Sequence, residues 1–306
     1  MPSQVSSQFA CKQVLTSLGA MVYVCSTNES GASSQLPSTP LVFFHGFGGG
    51  ASSYEWSKVY PAFTATHQVI APDLVGWGQS QHPPRNYTPA DYLLVLREFV
   101  QAIANVPIAA VASTLTAALL VRLAVRYPEL FDSLFLVCPS GFRDFGQASG
   151  RRIPLPIINT PLLDRAIYSL GATSEFAVRN FLERFIFANC DRISPETVFA
   201  YLNSARRPNA EYAALAFLRG DLYFDLAEYA PYLTVPTAIV WGERAQFISA
   251  ELGRQLAELN STSITRVQIV PQTGVFPHLE LPATVIALLT DWLLSRPQKA
   301  PLTEAS

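Results

Sequence analysis

Short apolar runs alternate with longer segments of helical periodicity along most of this chain. The apolar runs suit buried parallel strands and occupy residues 41–44, 68–71, 108–112, 134–138, 237–241 and 267–270. Segments with helical periodicity lie between them, at residues 88–104, 115–127, 250–259 and 282–294. One further strand is predicted near the amino terminus, at residues 20–25. The alternation predicts an α/β fold with a doubly wound, mostly parallel sheet.

One long interval, residues 141–232, interrupts this alternation because it contains no clear strand. Residues 176–188 and 194–205 have helical periodicity, and residues 151–161 are rich in proline. A helical insertion between two strands would lie over the carboxyl ends of the sheet, where open α/β sheets bind ligands. We therefore predict a core of residues 1–140 and 233–306, with residues 141–232 as a helical lid.

The composition favours a protein with a large buried core and argues against a nucleic-acid-binding protein. Hydrophobic residues make up 49% of the 306 residues and charged residues only 14%, which is typical of a large buried sheet. An exposed apolar patch that meets a membrane surface or a partner is the alternative interpretation. The net charge of -2 and the scattered basic residues argue against nucleic acid as a partner.

Cysteine usage and hydropathy bear on location and cofactors. The four cysteines lack metal-binding spacing, so we expect reduced thiols in a cytoplasmic protein. No secretory signal is visible, and no apolar run approaches the roughly 20 residues of a transmembrane segment. Peripheral contact with a membrane stays open as an alternative. We predict no metal and no cofactor.

Motifs at the predicted strand ends occur in a characteristic order. A glycine-rich loop, HGFGGG, begins at His45, and the segment APDLVGWGQS contains Asp73. The later strand end WGERA reaches Ala245, and TGVFPHLELP precedes the last predicted helix. Over roughly residues 20–295 these segments together resemble the α/β-hydrolase superfamily, in particular its lidded esterase and peroxidase-like branch. The resemblance implies an α/β-hydrolase fold with a helical lid.

The resemblance also implies positions for a catalytic serine, an acid and a histidine base. The nucleophile position, on the turn between a strand and a helix, is Thr114. The acid position after the strand end WG is Ala245, and the base position in the motif GVFPHLE is Val275. We therefore predict a degenerate catalytic triad, because none of these three side chains performs the role of its family counterpart.

Four other residues are candidates to rescue the chemistry. Ser113 precedes Thr114, but using it as the nucleophile would place bulky residues in the small-residue slots of the turn. His45 lies in the glycine-rich loop, and His278 matches a second histidine of the motif that packs structurally in the family. Asp73 is expected to brace its loop, and residues 138–141 offer no acid after their strand. We expect no side chain at the centre of the cleft to accept a proton from an alcohol.

Three functions are compatible with a chain that has the family's motifs but lacks the family's residues at the three triad positions. The first is a non-hydrolytic pseudoenzyme that binds a small apolar molecule or a protein partner. The second is an enzyme of another class on the same fold, such as a lyase, an isomerase or a cofactor-free oxygenase. The third is a residual ester hydrolase that uses Thr114 or Ser113. The residues predicted to bind the ligand lie at the predicted strand ends: His45, Gly46, Phe47, Gly48, Thr114, Leu115, Phe247 and Val275.

Overall fold

A mixed sheet of eight strands forms the centre of the computed structural model, which describes residues 8–27, 39–147, 168 and 172–297. The strands lie in the order β1-β2-β4-β3-β5-β6-β7-β8. The first two strands are antiparallel to their neighbours, and β3 to β8 pair in parallel. Their bounds are β1 Phe9–Thr16, β2 Gly19–Ser26, β3 Leu41–Phe44, β4 Val69–Pro72, β5 Ile108–Ser113, β6 Phe131–Val137, β7 Thr237–Gly242 and β8 Ile264–Val270. The predicted α/β fold with a mostly parallel sheet is confirmed.

Eight α-helices connect or flank these strands in the described part of the chain. Their bounds are α1 Pro89–Ile103, α2 Thr114–Arg126, α3 Glu175–Phe181, α4 Pro195–Ala205, α5 Ala210–Arg219, α6 Ala250–Leu259, α7 Pro277–Glu280 and α8 Pro282–Ser295. Local sequence explains where the first begins: Thr88 and Asp91 form a reciprocal capping box, and Pro89 occupies the first helical position. The sequence interval predicted as one helix at 176–188 is instead α3 followed by a π-helix, Leu182–Ile186.

Strand β5 lies between β3 and β6, and all six of its residues are buried. A parallel strand covered on both faces needs apolar residues at consecutive positions, which the run IAAVAS supplies up to its last residue. The chain then turns directly into α2, whose first ten residues are all buried apart from Arg122. This central strand and helix place Ser113 and Thr114 at the carboxyl edge of the sheet.

The chain between β6 and β7, residues 138–236, is called the helical insertion below. It carries α3, α4 and α5, of which α5 has no counterpart in the sequence prediction. The predicted proline-rich stretch at 151–161 lies outside the described residues. Helix α4 contacts the core at two loops: the Tyr201 carbonyl oxygen packs against Gly50, and the Ser204 hydroxyl accepts a hydrogen bond from the Gly78 amide at 3.1 Å.

Within the described ranges, none of the helices combines the length and the apolar character that crossing a lipid bilayer requires.

Candidate functional site

The turn from β5 into α2 has the strained backbone of a nucleophile position, although it carries a threonine. Thr114 has a φ of 46°, in the left-handed region that β-branched residues rarely adopt. Such a residue costs on the order of 1–3 kcal/mol, which the surrounding packing must offset. A Cβ on Gly46 would lie only 2.6 Å from Thr114 Oγ1, so the glycine permits the close approach of the loop after β3.

The hydroxyl of Thr114 is buried and has no hydrogen-bond partner among the described residues. Thr114 as a whole is 4% exposed. A buried hydroxyl without a partner is unusual in a native protein and costs free energy. No imidazole of the described residues bonds this hydroxyl.

A buried carboxylate, that of Glu55, lies next to the same turn and joins three segments of the chain. Glu55 belongs to the short 3-10 helix Ser53–Trp56 and is 1% exposed. Its Oε1 accepts a hydrogen bond from the Ser113 hydroxyl and bonds His278 Nε2 at 3.0 Å. Its Oε2 accepts from the Gly46 amide at 3.0 Å. The carboxylate therefore links the loop after β3, the end of β5 and helix α7.

The imidazole of His278 bonds the same oxygen of this carboxylate, Oε1, as the Ser113 hydroxyl. Its ring stacks on Trp56 with a centroid separation of 4.0 Å, and the Trp56 indole donates to the Phe44 carbonyl. His278 Nδ1 is buried and has no partner within the described residues. The order is therefore hydroxyl, carboxylate, imidazole, whereas a serine hydrolase places the imidazole between the other two groups.

The Ser113 hydroxyl donates a hydrogen bond to the Glu55 carboxylate, a partner that the sequence analysis did not name. Sequence reasoning missed Glu55 because no family motif marks that position. One signal was present: an acidic residue between Tyr54 and Trp56, in a segment rich in aromatic residues, is typical of a partly buried turn. The partners of its carboxylate lie far away in sequence, so only the folded chain identifies them.

Two rescue candidates, His45 and Asp73, have their polar atoms occupied by the backbone. His45 Nδ1 donates to the Gly46 carbonyl at 2.7 Å, and Nε2 accepts from the Leu74 amide at 3.0 Å. The two carboxylate oxygens of Asp73 accept from the amides of Ser53 and Gln79, each at 2.6 Å. Both side chains fix loops at the edge of the sheet.

The predicted acid position is Ala245 and the predicted base position is Val275, and both lie in loops at the site. Ala245 follows β7 and is partly exposed, whereas Val275 is buried and its amide donates to the Ile186 carbonyl at 2.9 Å. The carboxylate of Glu280 holds the loop before Val275 by accepting from the Gly274 amide at 2.5 Å. The same carboxylate accepts from two amides of the helical insertion, those of Ala188 and Asn189.

Two other acidic residues, Glu243 and Asp144, lie near the site, and neither stands at the predicted acid position. Glu243, two residues before Ala245, accepts from the Gln272 amide at 2.9 Å. Asp144 follows β6 and accepts from the Ser140 hydroxyl at 2.5 Å and the Leu226 amide at 2.8 Å. Burial raises the pKa of Asp144 above its ordinary value, while these hydrogen bonds oppose the shift. Asp144 thus joins the two ends of the helical insertion.

Aromatic side chains gather around the loop after β3. Phe47 lies 6.1 Å from Phe217 of α5, measured between ring centroids. A Cβ on Gly48 would lie 3.6 Å from the Phe181 ring of α3. Phe247, beyond β7, reaches the same side through Phe185, with centroids 5.2 Å apart. Leu115 lies beneath them in the first turn of α2 and is fully buried.

Tyr201 of α4 carries a further buried hydroxyl without a partner among the described residues. Burial raises the pKa of Tyr201 well above its ordinary value, and the nearby Glu55 and Tyr54 add to the shift. The group therefore stays a neutral hydroxyl at physiological pH.

For metals, the described residues hold no group of three or more histidine, cysteine or acidic side chains suited to an ion.

Comparisons with known proteins agree with this geometry. The model of the alpha/beta hydrolase family matches residues 41–288. A hydrolase of Metapseudomonas resinovorans, named for 2-hydroxy-6-oxo-6-(2'-aminophenyl)hexa-2,4-dienoic acid, is 26% identical over 271 residues, which cover 87% of each chain. Lipase 1 of Psychrobacter immobilis is 26% identical over 243 residues, covering 78% of this chain and 69% of the lipase.

Solved structures show the same fold. A serine hydrolase involved in carbazole degradation superposes with a TM-score of 0.73 at 18% sequence identity, covering 94% of this chain and 99% of the other. The chain belongs to the alpha/beta hydrolase family.

We expect Glu55→Gln to lower the free energy of unfolding by about 1.5–3 kcal/mol, because an amide cannot accept from all three donors that the carboxylate bonds. Chemical denaturation of the variant measures the change. Glu251→Gln is the matched control, since the Arg254–Glu251 pair is more than half exposed and should contribute less than about 1 kcal/mol. Equal effects of the two substitutions would contradict the role given to Glu55.

Thr114→Val and Thr116→Val should change stability in opposite directions. The first removes a hydroxyl without a partner and keeps a β-branched side chain, so we expect a gain of about 1 kcal/mol. The second removes the donor that bonds the His45 carbonyl at 2.6 Å, so we expect a loss of about 1 kcal/mol. Thermal and chemical unfolding test both. A loss in Thr114→Val as large as that in Thr116→Val would mean that the Thr114 hydroxyl is satisfied.

Proposed function

We propose that this chain is a non-hydrolytic member of the alpha/beta hydrolase family that binds a small apolar molecule in its cleft, beneath the helical insertion acting as a lid. The observation that carries the proposal is the buried hydroxyl of Thr114, which occupies the nucleophile turn without a base. A hydroxyl without an adjacent base is essentially un-ionised near neutral pH and is a poor nucleophile.

The arrangement of Ser113 and Glu55 does not replace the missing triad. The Ser113 hydroxyl bonds a carboxylate directly, whereas the triad uses an imidazole to take the proton from the nucleophile. His278 bonds the carboxylate at 3.0 Å and not the hydroxyl. The cluster therefore favours a structural role that keeps the shape of the turn.

The surroundings of the turn suit an apolar ligand. Leu115, next to the nucleophile position, and Val275, at the base position, are buried, and aromatic rings of α3 and α5 contact the loop after β3. Pockets lined mostly by apolar and aromatic side chains with few polar groups are typical of small-molecule sites. A bound apolar molecule would stay unmodified because no group there starts a proton transfer from Thr114.

The relatives with a named activity are hydrolases. In the proposal, this chain shares their fold and differs from them in not hydrolysing its ligand. The relatives whose names state an activity are lipases and hydrolases, at 25–27% identity. A fold shared at this level leaves room for a changed site, since function depends on specific side chains. The departure rests on three positions, Thr114, Ala245 and Val275.

We expect the purified protein to form no covalent adduct with a fluorophosphonate probe and to hydrolyse nitrophenyl butyrate no faster than buffer. Thr114→Ser alone should restore nothing, because the turn would still lack a base. The triple variant Thr114→Ser, Ala245→Asp, Val275→His should gain measurable hydrolysis and labelling. Peptide mapping that finds the probe on Thr114 or Ser113 of the unmodified protein would overturn the proposal in favour of a residual ester hydrolase.

One observation favours a second candidate, an enzyme of another class such as an isomerase. Glu55 and His278 form a buried acid–base pair, and such pairs cluster at catalytic sites. If the pair acted on a bound carbonyl compound, the protein would speed deuterium exchange at the carbon next to the carbonyl of benzylideneacetone in deuterium oxide. We expect no acceleration by NMR. Exchange that is fast in the wild type and lost in His278→Gln would establish the second candidate.

A further inference from the structure

The outer edge of β1 is a row of backbone groups that no strand of the described residues covers. β1 stands at the end of the sheet, and β2 is the one described strand beside it. The Thr27 amide donates to the Gln8 carbonyl at 2.9 Å, so these two residues are a hydrogen-bonded pair in the antiparallel register of β1 and β2. Because hydrogen-bonded and non-hydrogen-bonded pairs alternate along antiparallel strands, every second residue of β1 directs its backbone groups away from β2. This outward set is Phe9, Cys11, Gln13 and Leu15.

The next strand of the sheet agrees with this alternation. The Asp73 amide donates to the Val22 carbonyl at 2.8 Å, so Val22 and every second residue of β2 counted from it direct their backbone groups towards β4. Tyr23 therefore faces β1, where it lies opposite Lys12. Lys12 belongs to the inward set of β1, which β2 satisfies, and the outward set remains for a further strand.

The sequence of β1 does little to prevent another strand from pairing with this edge. Edge strands are commonly protected by proline, bulges, charged side chains or short length. β1 has eight residues without a proline, and its register with β2 is continuous. Lys12 is its one charged residue. Leu15 is 84% exposed, the largest value among the large hydrophobic side chains of the described residues, so a strand beside β1 would bury apolar surface.

A second copy of β1 fits this edge, because a strand that lies antiparallel to its own copy about a two-fold axis matches outward donors with outward acceptors. The side chains decide where the axis lies. An axis at Lys12 would place two ammonium groups directly opposite each other, which is destabilising. An axis at Gln13 places Lys12 opposite Val14 and Leu15 opposite Cys11, which behaves as a small apolar residue. The second register avoids the like charges and gives Leu15 an apolar neighbour.

We infer that β1 is a self-association edge, at which the β1 strands of two copies pair antiparallel about a two-fold axis at Gln13. The two sheets then form one continuous sheet. Pairing satisfies the outward backbone groups of Cys11, Gln13 and Leu15 in both copies and buries Leu15 against Cys11 of the second copy. Three strands separate β1 from β5, so this surface lies apart from the turn at Thr114 and the inference is independent of the proposed function.

Sedimentation of the full chain over a dilution series tests the pairing, and we expect the wild type to be a dimer. Gln13→Pro removes the outward amide at the axis from both copies, and an edge strand tolerates proline there. It should raise the dissociation constant about tenfold or more, and Gln13→Ala, which keeps the amide, should change it less than about threefold. Leu15→Lys, at a side chain exposed in the monomer, should also weaken the dimer. Thermal unfolding of each variant shows whether it is folded.

Disulfide cross-linking with copper–phenanthroline as the oxidant tests the register. In a Cys11→Ser background, Gln13→Cys places two cysteines opposite each other at the axis, where the Cα atoms of a hydrogen-bonded pair lie about 5.5 Å apart, within the range of a disulfide. We expect this variant to form a covalent dimer, and Lys12→Cys in the same background to form none.

Three results would overturn the inference. The first is a wild type that stays monomeric throughout the dilution series. The second is a dimer that Gln13→Pro and Leu15→Lys both leave intact, which would place the interface elsewhere. The third is cross-linking through Lys12→Cys in place of Gln13→Cys, which would contradict the axis at Gln13. None of these results bears on ligand binding in the cleft, so the proposed function is tested separately.

Discussion

The buried carboxylate of Glu55 is the interaction on which the rest of the site depends. Taking a carboxylate out of water costs several kcal/mol unless donors replace the lost hydration. Here the donors come from Gly46, Ser113 and His278, on three separate segments. The loop after β3, the end of β5 and helix α7 must therefore assemble together. This requirement keeps the turn at Thr114 in shape although its chemistry has changed.

Other buried carboxylates hold the neighbouring loops in the same way. Asp73, directly after β4, accepts from the backbone amides of Ser53 and Gln79, and Glu280 bonds the loop before Val275 together with the helical insertion. None of these bonds involves a triad position. The loops around the predicted triad positions are thus held by carboxylates that lie outside those positions.

The sequence allowed most of the sheet to be predicted, because buried parallel strands must be apolar at nearly every position. The prediction missed β1, which is an edge strand with four exposed residues in its interior and lacks that continuous run. It also missed α5, a helix of ten residues that begins directly after Asn209 in a left-handed conformation. Edges and short helices carry weak periodicity, so tertiary packing decides them.

By itself, the sequence determined which side chains stand at the nucleophile, acid and base positions, because a motif lies within a few consecutive residues. It could not determine what surrounds them. Glu55 and His278 are 223 residues apart, and their contact exists only because the folded chain packs the 3-10 helix Ser53–Trp56 against helix α7. The residues in each motif are therefore fixed by the chain itself, whereas the contacts of the buried carboxylate that holds the site are a product of the tertiary fold.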